Sequence, residues 1–269
     1  MNYENRIVLF LDILGFRSII DKTVEKNSDN TEAIETLYNN LTEIKEFLTS
    51  RLKQKDVFQN RNLSLKVTQF SDSIIISFIN DDNSTLLDLI RTIQELILKL
   101  VNNGILCRGA ISFGKLIHDN RVIFGPALND AYETETKAAL YPRIILDKSL
   151  IEIGKRSNQL TLFQESITNE DIILGYLSQD SDDKYYIDYF PKDIGNYKYV
   201  TDIQVYLANL RLIIINGSRF TKPDLKVKYG WMKNKYNNLL TLLKDESKIK
   251  EVSKVKGLYG YIDKLTVIK

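Results

Sequence analysis

The chain has 269 residues, 43% hydrophobic and 27% charged, enough to bury a sizeable core in one large domain or two small ones. Its 37 basic and 35 acidic residues leave a net charge of +2, which argues against nucleic acid or a membrane surface as the main ligand. The single cysteine, Cys107, excludes an internal disulfide and any multi-cysteine metal centre and suits a reducing compartment. No apolar run approaches the roughly 20 residues that span a bilayer, and Met1–Asn5 lacks the basic-then-apolar layout of a signal peptide, so a cytoplasmic location is expected.

The β-branched, apolar run at 6–12 predicts a strand, and Gly15 allows a sharp exit after it. Ile34, Leu37, Tyr38, Leu41, Ile44 and Leu48 then keep a 3.6-residue period, which predicts a helix, and the polar stretch 51–63 reads as a loop. The runs 64–70 and 73–79 form a hairpin with Ser71-Asp72 at or beside its tip. Asp81-Asp82-Asn83-Ser84 can cap a following helix. Its core stripe is Leu86, Leu89, Ile90, Ile93, Leu96, Ile97, Leu100 and Val101, and Asn103-Gly104 ends it. Strands follow at 105–113 and about 120–124, then a helix from about 126 to 138 and a strand at 143–147. The order β-α-α-β-β-α-β-β-α-β predicts an α+β fold, with one antiparallel-rich sheet backed by helices. Beyond it, strands are expected at 172–177 and 184–190 and helices at about 200–215 and 224–243, with a Lys-rich tail after 245. Residues 1–150 form the expected core, and 151–269 complete it or pack on it; no low-complexity linker separates them.

Two residues interrupt this pattern. Asp12 closes the run Ile7-Val8-Leu9-Phe10-Leu11, and Asp72 sits between Val67-Thr68-Gln69-Phe70 and Ile74-Ile75-Ile76-Ser77-Phe78. Burying a lone carboxylate costs several kcal/mol or forces it to protonate, so two of them ask for a shared counter-charge. A divalent cation is one answer, because a hard ion accepts one or two carboxylates and leaves its other positions to water and phosphate. Pairing with Arg108 or Arg143 is the purely structural answer.

The segment Phe10-Leu11-Asp12-Ile13-Leu14-Gly15-Phe16 resembles the first metal motif of class III nucleotidyl cyclases. Phe70-Ser71-Asp72-Ser73 resembles their second, with Ser71 where glycine is usual. Arg108-Gly109-Ala110-Ile111-Ser112-Phe113-Gly114 is similar to the family's central strand, and Phe124-Gly125-Pro126-Ala127-Leu128-Asn129-Asp130-Ala131 to the segment that opens its asparagine helix. Tyr141-Pro142-Arg143-Ile144-Ile145 and Lys228-Tyr229-Gly230-Trp231 look like the bacterial pyrimidine cyclases of the Pycsar anti-phage systems.

The resemblance implies a ferredoxin-like, palm-type catalytic sheet. It also implies cyclisation of a nucleoside triphosphate, in which the ribose 3′-hydroxyl attacks the α-phosphorus and pyrophosphate leaves. Two divalent cations, Mn²⁺ or Mg²⁺, would be held by Asp12, Asp72 and the Ile13 carbonyl, roughly 3.5–4 Å apart in such sites. Backbone N–H groups of the Leu14-Gly15-Phe16 turn would hold the triphosphate. Asn129 would contact the transition state. The family commonly carries an arginine four residues later, where this chain has Glu133, so Arg108 or Arg143 would have to supply that charge. The base-reading positions, usually charged or polar in purine cyclases, are Thr68 and Val122 here, which suits a pyrimidine ring, UTP ahead of CTP. Sites of this family form between two chains, so a homodimer is implied. The Pycsar likeness implies a separate effector protein activated by the cyclic nucleotide during phage infection.

Each of these residues also has an ordinary structural reading. Asn129 can be a helix-terminus residue, and Lys66, Lys115 and Lys137 solvated charges. Trp231 and its neighbouring tyrosines read as core. His118, the only histidine, sits in the polar stretch Ile117-His118-Asp119-Asn120 and reads as a hairpin residue rather than a general base. From a different functional class, a catalytically inactive cyclase-homology domain that dimerises or binds nucleotide also fits, and Glu133 is the residue that favours it.

Overall fold

The structure is a computed structural model that describes residues 2–25, 28–59, 65–79, 84–155, 169–190, 192 and 202–269. The elements begin with β1 (Glu4–Ile13), a short helix α1 (Phe16–Ile20), a small ribbon of β2 (Val24–Glu25) and β3 (Ser28–Asp29), and α2 (Thr31–Gln59). The hairpin β4 (Lys66–Phe70) and β5 (Ser73–Ile79) leads to α3 (Ser84–Asn102), β6 (Cys107–His118), β7 (Ile123–Phe124), α4 (Pro126–Ala138) and β8 (Ile144–Leu146). Then come α5 (Lys148–Lys155), α6 (Asn169–Leu174), β9 (Leu177–Gln179) and β10 (Tyr185–Ile187). Four helices close the chain: α7 (Ile203–Gly217), α8 (Pro223–Leu243), α9 (Glu246–Val252) and α10 (Leu258–Lys264).

Two compact units emerge, one of residues 1–96 and 106–187, the other of residues 97–105 and 188–269. The first is a mixed α+β unit built on a sheet of order β4-β5-β1-β6-β8-β10-β9, with β7 paired to β6. All its pairings are antiparallel except β6 with β8, so the expected antiparallel-rich α+β fold is present. Ile7, Leu9, Leu11 and Ile13 alternate onto one buried face of β1, while Val8, Phe10 and Asp12 point to the other. There α4 packs, laying Ala127 and Ala131 on Val8, Phe10 and Leu116. Alanine at both contact positions lets the helix approach closely, and the buried Ser112 hydroxyl donates to the Ala127 carbonyl at 2.5 Å. Gly125, with φ 151°, makes the entry possible, since a Cβ there would lie 2.5 Å from the Lys115 carbonyl oxygen.

In the second unit, α7 buries Tyr206, Leu207, Leu210 and Ile214, the stripe its period predicts. On α8, Trp231 is core, its ring centroid 5.9 Å from that of Phe190, and the Tyr206 hydroxyl donates to the Tyr189 carbonyl. Among the described helices none is long and apolar enough to cross a membrane.

Three expectations differ from the structure. The stretch 51–59, expected as loop, continues α2 to Gln59, because no glycine or proline interrupts residues 31–59 and Leu, Lys, Gln and Arg are good helix formers. The strand expected at 172–177 is the helix α6, opened by Glu170 and Asp171 in its first turn, with strand only at 177–179. His118 belongs to a hairpin as expected, pairing with Ile123 across β6 and β7, but it ends strand β6 and is buried rather than lying in the turn. The proposed caps Asp81, Asp82 and Asn83 lie outside the described residues. The stripe they were to precede is buried from Leu86 to Val101 as predicted.

Candidate active site

The end of β1 and the tip of the β4–β5 hairpin bring the two aspartates together. Asp12 is flanked by Ser73 on β5 and Arg108 on β6, and the Ile13 N–H donates to the Asp72 carbonyl at 3.2 Å. The hairpin turns in two residues, Ser71 and Asp72, and Ser71 takes φ 55°, a left-handed conformation that costs a non-glycine residue about 1 kcal/mol or more. Ser71→Gly is therefore expected to stabilise the protein by about 0.5–1 kcal/mol in chemical denaturation, and a loss of stability would contradict the strain.

Charge around Asp12 is unbalanced. Arg108 Nε donates to Asp12 Oδ2 at 3.3 Å, while Glu135 Oε1 lies 2.6 Å from the same nitrogen but off its donor axis. That Glu135 oxygen is buried and accepts no hydrogen bond. Asp12 and Glu135 thus share one guanidinium, the Asp72 carboxylate lies close enough to act on Asp12, and among the described residues no other cation pairs with Asp12 or Asp72. Fully ionised, the cluster carries two uncompensated negative charges, the charge of one divalent ion. Burial, reinforced by the nearby Asp72 carboxylate and opposed by Arg108, pushes the Asp12 carboxyl up to about 6. Among the described residues no group of three acidic, histidine or cysteine side chains forms a metal site. A pair of carboxylates fits a hard cation whose other ligands are phosphate and water.

Cys107 lies buried one residue from Arg108, and burial plus Asp12 pushes its thiol up to about 12. It is expected to resist a thiol reagent in the native protein and to react in full on unfolding; rapid native labelling would contradict this burial.

Of the predicted phosphate-binding turn, Gly15 is exposed with φ 76°, and Phe16 is buried. The Leu14 N–H is already donated to the Leu106 carbonyl at 2.9 Å, which leaves Gly15 and Phe16 as the N–H donors of this turn.

A second cluster gathers Thr68 and Val122. His118 Nε2 lies 2.8 Å from Thr68 Oγ1, and its Nδ1 lies 2.8 Å from Ser77 Oγ. Arg6 Nε donates to that same Ser77 oxygen at 2.9 Å. His118 also pairs with Ile123, and the turn before Ile123 is held by the Asp119 side chain, which accepts from the Arg121 and Val122 N–H groups. Thr68 is thereby bonded to a histidine 50 residues away. Burial, with Arg6 and Lys66 nearby, lowers the His118 pKa to about 4, so the ring is neutral at neutral pH.

Asn129 lies in the first turn of α4, exposed, its N–H donated to the Gly125 carbonyl at 3.3 Å. Among the described residues no hydrogen bond or ion pair joins Asn129 to Asp12 or Asp72. Glu133, at the arginine position, is exposed and pairs with Lys137 at 2.5 Å. Arg143 is not a substitute: it is fully buried and held by Asp180, Asp182 and the Ala138 carbonyl. Glu135, Ser77, Arg6 and His118 were not singled out as site residues. For Glu135 a signal existed, because spacing of four from Ala127 and Ala131 places it on the buried face of α4.

No family model matches the chain, and no curated protein matches it. Among solved structures it is similar to the adenylyl cyclase CyaB from P. aeruginosa, with 14% identity and TM-score 0.42 over 56% of this chain and 80% of that one. A bacterial light-regulated adenylyl cyclase gives 17% identity and TM-score 0.42 over 79% of this chain and 100% of that one. The catalytic core of a rhodopsin-guanylyl cyclase with converted specificity, in complex with ATPαS, gives 13% and 0.42 over 70% and 96%.

Proposed function

We propose that the protein is a nucleotidyl cyclase that converts a pyrimidine nucleoside triphosphate, UTP ahead of CTP, to its 3′,5′-cyclic monophosphate and pyrophosphate. The observation that carries this reading is the pair of carboxylates at the end of β1 and the β4–β5 tip, of which Asp12 shares the Arg108 guanidinium with the buried Glu135 and feels the Asp72 charge. When bound, two divalent cations, Mn²⁺ or Mg²⁺, would stabilise charge on the attacking and leaving oxygens and ease deprotonation of the 3′-hydroxyl. Asp12 and Asp72 hold that charge in place, and Arg108, shared with Glu135, keeps Asp12 oriented toward the site. The Gly15 and Phe16 N–H groups donate to the triphosphate oxygens. Thr68 and Val122 face the base; a hydroxyl beside an aliphatic wall cannot form the charged contacts that discriminate purine edges.

Asn129 is exposed on its helix and, among the described residues, makes no hydrogen bond to either aspartate, which fits a site completed by the Asn129 of a second copy. Phe70, Phe124 and Tyr132, each about half exposed or more, offer apolar surface for that copy. The product would act in the cytoplasm as a second messenger in anti-phage defence, through a separate effector. An equimolar mixture of ATP, GTP, CTP and UTP with Mn²⁺ tests the specificity: cyclic pyrimidine products should dominate by mass, and purine products equal to or above both would contradict it. Glu133, paired with Lys137, favours a second reading, an inactive domain that only binds nucleotide. That reading predicts binding with no product from any of the four.

A further inference from the structure

Glu135 holds a buried carboxylate oxygen that is left without a hydrogen bond. The residue is 2% exposed, and its Oε2 accepts from the Thr136 hydroxyl at 3.0 Å. Its Oε1 accepts nothing, although Arg108 Nε lies only 2.6 Å away, because that N–H is aimed at Asp12 Oδ2, 3.3 Å off. An unpaired buried acceptor is costly, and a guanidinium beside it can only donate. The Arg108 side chain is 25% exposed and has room to turn, whereas Glu135 is enclosed on α4. Of the charges that act on the Asp12 carboxyl, Glu135 has the weakest direct influence, behind Asp72 and Arg108, so its path to Asp12 runs through the arginine.

We propose that Glu135 is a positioning residue that takes over the Arg108 guanidinium when Asp12 holds a divalent cation, so that a positive side chain can stand beside the metal-holding carboxylate without competing for it. This rests on one part of the cyclase reading, that Asp12 and Asp72 hold such an ion. In the free chain Arg108 compensates Asp12. A divalent ion on the same carboxylate repels the guanidinium, and the open Glu135 oxygen is an acceptor that Arg108 reaches by turning its N–H rather than by moving into solvent. The charge-assisted hydrogen bond is then exchanged instead of lost. With an isosteric neutral amide at position 135, Arg108 stays on Asp12 and the ion has to displace it, which weakens metal binding about tenfold or more, the scale of one charge-assisted hydrogen bond.

The test is a double-mutant cycle read on Mn²⁺ alone, with no nucleotide, from the EPR signal of the free ion. Two fixed charges act additively on a third, so coupling between Glu135 and Arg108 reports where the arginine sits. Glu135→Gln should raise the Mn²⁺ Kd about tenfold or more when Arg108 is present, and by less than about threefold in the Arg108→Gln protein. An equal effect in both backgrounds would make Glu135 a plain field charge and overturn the inference, as would no effect in either. If Arg108→Gln does not fold, ¹⁵N-labelled wild type decides: the Arg108 Nε–H signal, identified by its loss in Arg108→Lys, should shift when Mg²⁺ saturates the protein and stay protected from solvent exchange. An unmoved signal, or exchange as fast as that of a solvated arginine, overturns the handover. Asp12-dependent Mn²⁺ binding without coupling refutes this inference alone, whereas Mn²⁺ binding that is absent, or unchanged in Asp12→Asn, refutes the metal centre and this inference with it.

Discussion

Asp12→Asn and Asp72→Asn should each lower turnover by about a thousandfold or more, the scale of several kcal/mol of lost charge stabilisation, while the fold survives. The survival follows from the metal-free electrostatics. Burial and Asp72 raise the folded-state pKa of Asp12 to about 6 from an ordinary 3.8, so ionising Asp12 opposes folding. The stability linked to its proton is fully present below about pH 4 and is lost as pH rises through 6. A neutral asparagine has no such loss. Each tenfold change in proton affinity is worth about 1.4 kcal/mol, and after allowance for partial solvent screening Asp12→Asn should be the more stable protein by about 1–2 kcal/mol at pH 7.5 without metal. Below pH 4 the difference should vanish. Adding Mn²⁺ should reverse the order, raising the Tm of wild type and leaving the variant unmoved. Near-normal activity in either variant, or unfolding of both, would remove the two aspartates from the proposed centre.

The second large effect concerns assembly. Asp72→Ala and Asn129→Ala should each be inactive alone, yet a mixture allowed to exchange subunits should recover activity. In a heterodimer of the two, one site carries both lesions and the other neither. Random exchange of equal amounts makes half of the dimers mixed, so about a quarter of wild-type activity should return. An exposed Asn129 is what such a site requires. Absence of rescue, with exchange demonstrated by mass, would place the reaction within a single chain.

Much of the frame around the two aspartates was legible in the sequence because it is set by local rules. Two apolar runs separated by Ser71-Asp72 can only make a tight hairpin, and Gly125-Pro126 starts a helix that ends at Ala138 as expected. A carboxylate inside an apolar strand stands out from the residue pattern alone. What was not legible depends on contacts across the fold. The tie between His118 and Thr68 joins residues 50 apart with no shared period, so polar neighbours made His118 look like a turn residue. The helical course of 51–59 was hidden by polar composition, although no breaker residue ends it there. Nothing in the residue pattern singles out Glu135, and only its burial against Arg108 shows that it shares that guanidinium with Asp12. Arg143 looked available as a counter-charge because nothing in the sequence announces that Asp180 and Asp182 fold back to hold it.

Cyclisation of a nucleoside triphosphate by this chain can be read from ³¹P NMR of the protein incubated with UTP and Mg²⁺, the metal chelated before acquisition. The three UTP signals should give way to one 3′,5′-cyclic phosphodiester and pyrophosphate in equal amounts, and the Asp12→Asn protein should leave UTP intact. UTP unchanged by wild type under the same conditions and with Mn²⁺, or converted to UDP, to UMP or to linear oligonucleotides, would contradict it.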